Sequence, residues 1–296
     1  MEKIKNYMKI IRIKHYLKNL LLFVPLLFSG QILDLRKLII AFLGFCSFSL
    51  ASSIIYIIND YKDMENDKLH PIKKNRPIAA GKVTKKEVAF LFTIIIIGII
   101  IINLIMLNIM ELKNFLIAGI FEIIYLLLNF GYSFGLKNIP ILDIVILVCG
   151  FLLRLLYGAE ICDIVISQWL YLTIISISFY MAMGKRRNEI VKQGDKSRKV
   201  LSKYNKDFLD KFIYAYLVLS VVFYSLWCID LETTQRTGNS YLIWTIPLVL
   251  IIFMKYSLNL EEDSFGDPVD VILGDKIMIG LIFIYAILIM GILYFF

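Results

Sequence analysis

The chain has 296 residues and a formal net charge of +8, and 59% of its residues are hydrophobic while only 19% are charged. No water-soluble domain of ordinary composition is this apolar, so the composition excludes a soluble enzyme and indicates a polytopic membrane protein. The apolar segments are long enough to cross a bilayer core of about 30 Å as helices, and they lack the alternating pattern of a membrane barrel. We therefore predict an all-α protein with one transmembrane domain over residues 1–296.

The first 18 residues contain six basic side chains among isoleucines and tyrosines. This arrangement is typical of an amphipathic helix on an anionic membrane surface, so we predict an interfacial segment over residues 1–18. The apolar segment that follows has no small-residue cleavage site, which indicates a retained helix rather than a signal peptide. Nine transmembrane helices are predicted, at residues 19–33, 38–58, 88–109, 114–134, 140–161, 167–184, 208–229, 241–258 and 277–296.

The positive charges predict an orientation for these nine helices. With a cytoplasmic N-terminus, 27 of the 32 Lys and Arg residues lie on the cytoplasmic side, as expected for a membrane protein. The two long polar loops, residues 59–87 and 184–211, are then cytoplasmic, and the active-site cavity of the helical bundle opens to the cytoplasm. The Lys-, Ile- and Asn-rich composition indicates a bacterium, so we expect the plasma (inner) membrane.

Three aspartates follow the second predicted helix. Asp60, Asp63 and Asp67 are three and seven residues apart, which places them within about 60° on one face of a helix. Carboxylates this close repel one another unless a cation lies among them. Oxygen ligands of this kind suit Mg²⁺, which proteins usually share with a phosphate-bearing substrate. The alternative is a solvated charged loop between membrane helices.

Basic residues come directly after the aspartates. Lys73 and Arg76 belong to a cationic patch that suits phosphate oxygens, and Asn59 lies four residues before Asp63, close to the same helix face. Acids and bases in immediate succession therefore predict a metal site beside a phosphate site within residues 59–87.

A second cationic cluster ends the sixth predicted helix. Lys185, Arg186 and Arg187 are consecutive, and Glu189 lies four residues after Lys185, on the same helix face. One interpretation is a second phosphate site on the cytoplasmic side. The alternative is a stop-transfer cluster that only anchors the helix.

Three further polar residues lie at or inside the bundle. Tyr132 and Lys137 belong to a short loop at its mouth, whereas Arg154 falls inside a predicted helix. An arginine within a membrane helix usually faces a cavity or an acidic partner. Glu122 and a substrate phosphate are the two partners that the sequence leaves open.

The remaining loops add little chemistry. The acidic loop at residues 261–275 is either a second carboxylate site or a solvated loop. The sequence contains no glycine-rich nucleotide loop and no nucleic-acid-binding module, so we expect no nucleic-acid partner. A transporter or lipid-binding protein is the non-enzyme alternative, but polar residues inside the predicted helices are sparse, whereas transporters need them. The sequence leaves a homo-oligomer open.

These motifs resemble those of the UbiA-type membrane prenyltransferases. The resemblance rests on the NDxxDxxxD pattern at residues 59–67, the RPIAxG pattern at residues 76–81, and the Tyr132-Ser133 and Leu136-Lys137 pairs. It covers nearly the whole chain and implies a UbiA-like helical bundle. The family's second aspartate-rich motif, after the sixth helix, is replaced here by KRRNE at residues 185–189.

The KRRNE segment, the Lys18-Asn19 pair and the His70-Pro71-x-Lys73 element are similar to the branch typified by decaprenyl-phosphate phosphoribosyltransferases. The resemblance implies transfer of 5-phosphoribose from phosphoribosyl diphosphate to a polyprenyl phosphate lipid, with release of diphosphate. The alternative is transfer of a prenyl group from a prenyl diphosphate to an aromatic or other acceptor, for which a second acidic motif is expected.

The resemblance also implies roles for individual residues. Asp60 and Asp63 are the implied Mg²⁺ ligands, and Asp67 completes the catalytic set by binding ribose hydroxyls or a metal-bound water. The implied substrate-binding residues are Lys18, Asn59, Lys73, Arg76, Tyr132, Lys137, Arg154, Lys185, Arg186, Arg187 and Glu189.

Overall fold

The computed structural model describes residues 2–69, 73–193, 199–262 and 266–295, and the regular elements within these ranges are all helices. The all-α class predicted from the sequence is thus confirmed. The chain divides into two compact units. The first unit consists of Met1–Val24, Asp34–Ser133 and Leu153–Asp163, and the second consists of Pro25–Leu33, Phe134–Leu152 and Ile164–Phe296.

The described residues form the following α-helices, in chain order: α1 (Glu2–Ile10), α2 (Val24–Phe28), α3 (Leu35–Lys62), α4 (Met64–Leu69), α5 (Lys85–Ile109), α6 (Leu112–Phe134), α7 (Leu142–Ile161), α8 (Gln168–Gln193), α9 (Lys206–Ile229), α10 (Leu231–Thr237), α11 (Ile246–Glu261), α12 (Pro268–Leu273) and α13 (Lys276–Tyr294). Short 3-10 helices lie at Ile13–Phe23, Lys73–Asn75, Leu136–Asn138, Lys199–Lys203 and Tyr241–Thr245. Helix α7 begins in the second unit and ends in the first.

Helix α3 is the central helix of the first unit. Its N-terminus is capped by Asp34, whose carboxylate accepts a hydrogen bond from the Lys37 amide at 3.1 Å, as free amides at a helix start require. Small residues such as Ser47 are buried along α3, and small side chains let membrane helices approach closely. Helix α5 packs against α3 and begins at a capping box formed by Thr84 and Glu87.

The segment before α3 is less regular than the transmembrane helix predicted over residues 19–33. A 3-10 helix covers Ile13–Phe23, and the short helix α2 follows it. Pro25 lies in the first turn of α2, where its missing N–H is tolerated. A Cβ atom on Gly158 would lie only 2.1 Å from the Leu22 carbonyl oxygen. The 3-10 segment therefore contacts the backbone of α7 directly, at a position that only glycine allows.

Seven helices in the described part of the chain are long and apolar enough to cross a membrane: Leu35–Lys62, Lys85–Ile109, Leu112–Phe134, Leu142–Ile161, Lys206–Ile229, Tyr241–Glu261 and Lys276–Tyr294. Only 11% of the apolar window of α5 is buried within the protein, so most of its surface suits contact with lipid. Two of the nine predicted spans, residues 19–33 and 167–184, are not among the seven. The first is irregular, and α8, which covers the second, has 26 residues but is more polar.

The second unit has its own apolar core, formed mainly by α8, α9 and the helices that follow. Tyr180, Leu201 and Tyr256 are among its buried members. Asn205 caps α9 and Asp267 caps α12, each through a side-chain oxygen that accepts backbone N–H groups. These caps fix where the polar connections end and the apolar helices begin.

Candidate active site

Helix α3 ends within the aspartate motif. The spacing predicts one helix through Asp60, Asp63 and Asp67, but α3 ends at Lys62, Asp63 is its C-cap, and α4 starts at the next residue. Asp60 and Asp67 are each only 3% exposed, whereas Asp63 is half-buried. Among the described residues, no three His, Cys, Asp or Glu side chains come together in an arrangement that could hold a metal ion, so these aspartates do not form a three-carboxylate cluster.

Arg76 joins the two buried aspartates. Its Nη1 atom lies 3.0 Å from Asp60 Oδ1 and 2.7 Å from Asp67 Oδ2. Two carboxylates, which lie 16 and nine residues before Arg76 in sequence, thus converge on a single cationic nitrogen. Because charge-assisted hydrogen bonds at these distances are strong, Arg76 holds the segment after α4 against the end of α3.

Arg12 is the second cation on Asp60. Its Nη2 atom lies 2.6 Å from Asp60 Oδ1, and its guanidinium lies over the Tyr56 ring at 4.5 Å from the centroid. The backbone of Arg12 has a φ of 55°, in the left-handed region that non-glycine residues seldom adopt. This turn separates α1 from the 3-10 helix, so the amphipathic helix predicted over residues 1–18 ends at Ile10. We call Arg12, Asp60, Asp67 and Arg76 the carboxylate site.

The carboxylate site contains ligand atoms of the type that Mg²⁺ takes. Mg²⁺ takes oxygen ligands and is usually held by one or two protein carboxylates, with substrate phosphates completing its shell. Asp60 and Asp67 already direct one oxygen each toward the same positive centre. Asp60 and Asp63 stay the predicted pair of ligands, and Asp67 is a further carboxylate beside Asp60.

Arg154 lies inside the first unit and is 6% exposed. Its Nε donates to Asn19 Oδ1 at 2.6 Å, and its Nη2 donates to Tyr125 Oη at 2.9 Å. Asn19 in turn donates to Ser49 Oγ at 2.9 Å. Glu122 is one of the two partners that the sequence left open for Arg154. Its carboxylate accepts a hydrogen bond from Ser47 Oγ at 3.2 Å. We call Arg154, Asn19 and Tyr125 the buried arginine site.

The remaining first-unit candidates are Lys18, Asn59, Lys73 and Tyr132, and all four are half-buried. Lys18 directly precedes the Asn19 of the buried arginine site. Tyr132 lies two helical turns after Tyr125 on α6, which places the two tyrosines on the same face. His70 and Pro71 of the HPxK element lie outside the described residues.

In the second unit, the three cations of the KRRNE segment have different surroundings. Arg186 has a fully buried side chain, with Nε 2.5 Å from Asp143 Oδ2 and Nη1 2.5 Å from Glu189 Oε2. Two carboxylates thus hold its guanidinium inside the protein. Burial of an ionic group is tolerated only with such pairing, and the pairing fixes the local geometry.

Lys185 and Arg187, in contrast, have partly exposed side chains. Lys185 lies 3.2 Å from Asp267 and is 23% exposed, and Arg187 lies 2.8 Å from Asp210 and is 14% exposed. Ion pairs that water reaches are weak and are exchanged readily. These two cations are therefore the members of the cluster whose ion pairs are reached by water.

Tyr204 completes the surroundings of Asp143. Its hydroxyl donates to Asp143 Oδ1 at 2.6 Å and accepts the Ile141 amide at 2.5 Å. Burial, together with the adjacent Asp143 carboxylate, raises the pKa of Tyr204. The phenol therefore keeps its proton at neutral pH and acts as a donor. Lys137, on the 3-10 turn before Ile141, is half-buried.

The acidic loop at residues 261–275 forms caps and ion pairs where the structure describes it. Asp267 caps α12 and pairs with Lys185, Asp275 caps α13 and pairs with Lys255 at 2.5 Å, and Glu261 pairs with Arg187 at 3.3 Å. Asp263 lies outside the described residues. These contacts favour a structural role over a second carboxylate site.

Sequence reasoning missed several partners of the predicted residues. Arg12 was assigned to the surface segment, and Asn19 and Tyr125 had no assigned partner, although Asn19 belongs to the Lys-Asn pair. Tyr204 gave no signal at all in a segment rich in lysine.

Comparison with known proteins gives consistent matches. The sequence profile of the UbiA prenyltransferase family matches residues 20–267. The decaprenyl-phosphate phosphoribosyltransferase of Corynebacterium glutamicum is 32% identical over 277 residues, covering 91% of this chain and 81% of that protein. The protein of the same name from Mycolicibacterium smegmatis is 32% identical over 295 residues, covering 93% and 88%.

A solved structure shows the same fold. It is that of a UbiA homolog from Archaeoglobus fulgidus bound to GPP and Mg²⁺, with a TM-score of 0.68 and 17% sequence identity. The match covers 97% of this chain and 99% of the homolog. The apolar helices and the matched family together indicate a multi-pass membrane protein.

Proposed function

Because the chain belongs to the UbiA prenyltransferase family, we propose that it is a polyprenyl-phosphate phosphoribosyltransferase of that family. The proposed reaction moves 5-phosphoribose from phosphoribosyl diphosphate to a polyprenyl phosphate and releases diphosphate. The observation that carries the proposal is the KRRNE segment, which places cations where prenyl transfer needs a second set of metal-binding carboxylates. Relatives named for this reaction match the chain over more than nine-tenths of its length.

The carboxylate site suits the diphosphate of the ribosyl donor. Arg76 and Arg12 are half-buried cations that can bind diphosphate oxygens, and Asp60 keeps both in place. Asp60, with Asp63 or Asp67, would hold Mg²⁺, which would supply neutralisation of the charge on the leaving diphosphate. We assign Asp67 to ribose hydroxyls or to a metal-bound water.

The proposed reaction requires little proton transfer by the protein. The C1–O bond of the donor breaks with its electron pair going to the diphosphate, and an oxygen of the lipid phosphate forms the new bond to C1. Because the lipid phosphate is already an anion, no strong general base is needed. Catalysis then rests on positioning and on neutralisation of charge.

The cations outside the carboxylate site suit the two phosphomonoester groups, which are the 5-phosphate of the donor and the phosphate of the lipid. Lys185, Arg187 and Lys137 of the second unit are candidates for one of them, with Arg186 and Glu189 holding the segment in shape. Lys18 and Arg154 of the first unit, with Asn59, Lys73 and Tyr132, complete the proposed substrate-binding set. Arg154 provides a rigid guanidinium because Asn19 and Tyr125 fix it.

The lipid tail needs an apolar surface. The second unit contains an apolar cavity of about 290 Å³, whose lining includes Ile177, Ile252, Phe253, Met278 and Ile282. A cavity of this composition suits several isoprene units. We assign it to the part of the polyprenyl chain next to the phosphate.

The proposal also includes the topology. The protein lies in the bacterial plasma membrane with nine transmembrane segments, which include the 3-10 segment with α2 and the helix α8. Its N-terminus and the polar segments at residues 59–87 and 184–211 face the cytoplasm, where phosphoribosyl diphosphate is soluble. The positive charge of these segments supports that orientation.

A direct assay tests the function. Purified protein in detergent is incubated with Mg²⁺, phosphoribosyl diphosphate labelled in the ribose, and polyprenyl phosphates of several chain lengths. We expect label in the organic phase and release of one diphosphate for each lipid labelled. Ribose 5-phosphate in place of the donor is the control, since it lacks the leaving group.

Two results would contradict the proposal. The first is the absence of labelled lipid with every chain length tested. The second is transfer of label from a prenyl diphosphate to an aromatic acceptor by the same preparation, which would establish the alternative prenyltransferase function.

A further inference from the structure

Tyr204 lies in the connection between α8 and α9 and does not belong to the proposed substrate-binding set. Its ring is packed in the core of the second unit and is 8% exposed. It stacks on Phe208, with ring centroids 6.2 Å apart and planes 19° apart. Packing thus holds the ring in place independently of the hydroxyl group.

The hydroxyl of Tyr204 connects two other segments. It donates to Asp143 at 2.6 Å and accepts the Ile141 amide at 2.5 Å. The second oxygen of Asp143 accepts from Arg186 at 2.5 Å. A continuous chain of hydrogen bonds therefore runs from the turn before α7, through Tyr204 and Asp143, to the KRRNE segment on α8.

The hydroxyl of Tyr204 also supports the turn before α7. Ile141 has a φ of 70°, which is disfavoured for a β-branched residue. Its side chain is 59% exposed, so packing does little to stabilise this conformation. Hydrogen bonds do so instead: its amide donates to Tyr204, and its carbonyl accepts from the first turn of α7. Lys137 lies on the 3-10 turn just before it.

We propose that Tyr204 is a positioning residue for a phosphomonoester site. Its hydroxyl holds the turn that carries Lys137 and the cations of the KRRNE segment in one fixed arrangement, and this arrangement binds the phosphomonoester. This inference rests on the proposed function. The phosphomonoester is either the 5-phosphate of the ribosyl donor or the phosphate of the polyprenyl lipid. Lys185 and Arg187, on either side of the fixed Arg186, are the partly exposed cations that contact it.

The variant Tyr204→Phe tests the inference because it keeps the ring and removes only the hydroxyl. We expect the KM of one substrate, phosphoribosyl diphosphate or polyprenyl phosphate, to rise about tenfold, since a hydrogen bond that organises charged groups has about this effect. The substrate whose KM rises identifies the phosphomonoester. We expect kcat to change less than about threefold.

The matched control is Tyr214→Phe. Tyr214 lies on α9 with a side chain that is 62% exposed, so removal of its hydroxyl should leave both KM values unchanged. A double variant gives a second control. If Tyr204 acts through Lys137, adding Tyr204→Phe to Lys137→Gln should raise KM little further.

Binding measured without turnover separates this inference from the proposed function. Ribose 5-phosphate and farnesyl phosphate serve as probes, and their stabilisation of the detergent-solubilised protein against heat gives apparent Kd values. Tyr204→Phe should weaken one probe about tenfold. If the wild type binds a probe but shows no turnover, the loss of affinity in the variant still supports Tyr204 while the proposed function fails.

Three results would overturn the inference. One is a Tyr204→Phe variant whose KM and apparent Kd values all lie within twofold of the wild type. Another is a variant with a lower Tm and kcat but unchanged KM and Kd, which would indicate a structural role only. The third is full additivity of Tyr204→Phe and Lys137→Gln.

Discussion

Gly158 offers a quantitative test of how packing determines the buried arginine site. A Cβ atom there would lie 2.1 Å from the Leu22 carbonyl oxygen and 2.7 Å from its carbonyl carbon. Since non-bonded carbon and oxygen need more than 3 Å, the variant Gly158→Ala must push the 3-10 segment and α7 apart by about 1 Å. Both contacts at 2.1–2.7 Å are with backbone, so no side-chain rotation can relieve them.

The displacement should reach Arg154. Arg154 lies one helical turn before Gly158 on α7, and Asn19 lies three residues before Leu22. Their hydrogen bond is 2.6 Å long, so a shift of about 1 Å would take it beyond hydrogen-bonding distance. Overpacking costs about 1–3 kcal/mol, and a lost hydrogen bond to a charged group costs about 1.5–3 kcal/mol. We therefore expect Gly158→Ala to lower the free energy of unfolding by roughly 2.5–6 kcal/mol.

Thermal unfolding in detergent, followed by tryptophan fluorescence, measures the effect. We expect Tm to fall by at least about 5 °C, on a scale of about 2–4 °C per kcal/mol. The matched control is Gly119→Ala on α6 of the same unit, where a Cβ atom would meet no atom within 4 Å. Alanine favours a helix over glycine by up to about 1 kcal/mol, so this control should be neutral or stabilising. Equal Tm values for the two variants would refute the reasoning.

Two further predictions concern charged residues of the carboxylate site and the buried arginine site. Asp60→Asn removes the carboxylate that Arg12 and Arg76 share, so turnover should fall by more than about 100-fold, and excess chelator should abolish turnover reversibly. Turnover that survives in either experiment would remove the carboxylate site or the metal from the mechanism. Arg154→Lys keeps the charge but cannot reproduce the planar fork on Asn19 and Tyr125. Steady-state kinetics should therefore show an increase of about tenfold in the KM of one phosphate substrate, and unchanged KM values for both would argue against a role for this guanidinium.

The sequence alone determined the class of the protein and the places where chemistry is concentrated. Composition and the length of the apolar segments are local properties, and they suffice to predict an all-helical membrane protein with polar segments at residues 59–87 and 184–211. Asp60, Arg76 and the KRRNE segment were found in the same way, since acids and bases stand out in an apolar chain. The predicted outline of α3 was also nearly right, because helical propensity and end caps act within a few residues.

The tertiary structure decided which of these charges meet. The partners of Asp60, Arg154 and Asp143 are 48, 135 and 61 residues away from them in sequence, and no local pattern encodes such a pairing. Packing also gives three adjacent cations different exposures to water. Lys185 and Arg187 are partly exposed, whereas Arg186 is fully buried. The physical reason is that a helix side faces core, lipid or water according to its neighbours, and those neighbours are set by long-range contacts such as that of Gly158 with Leu22.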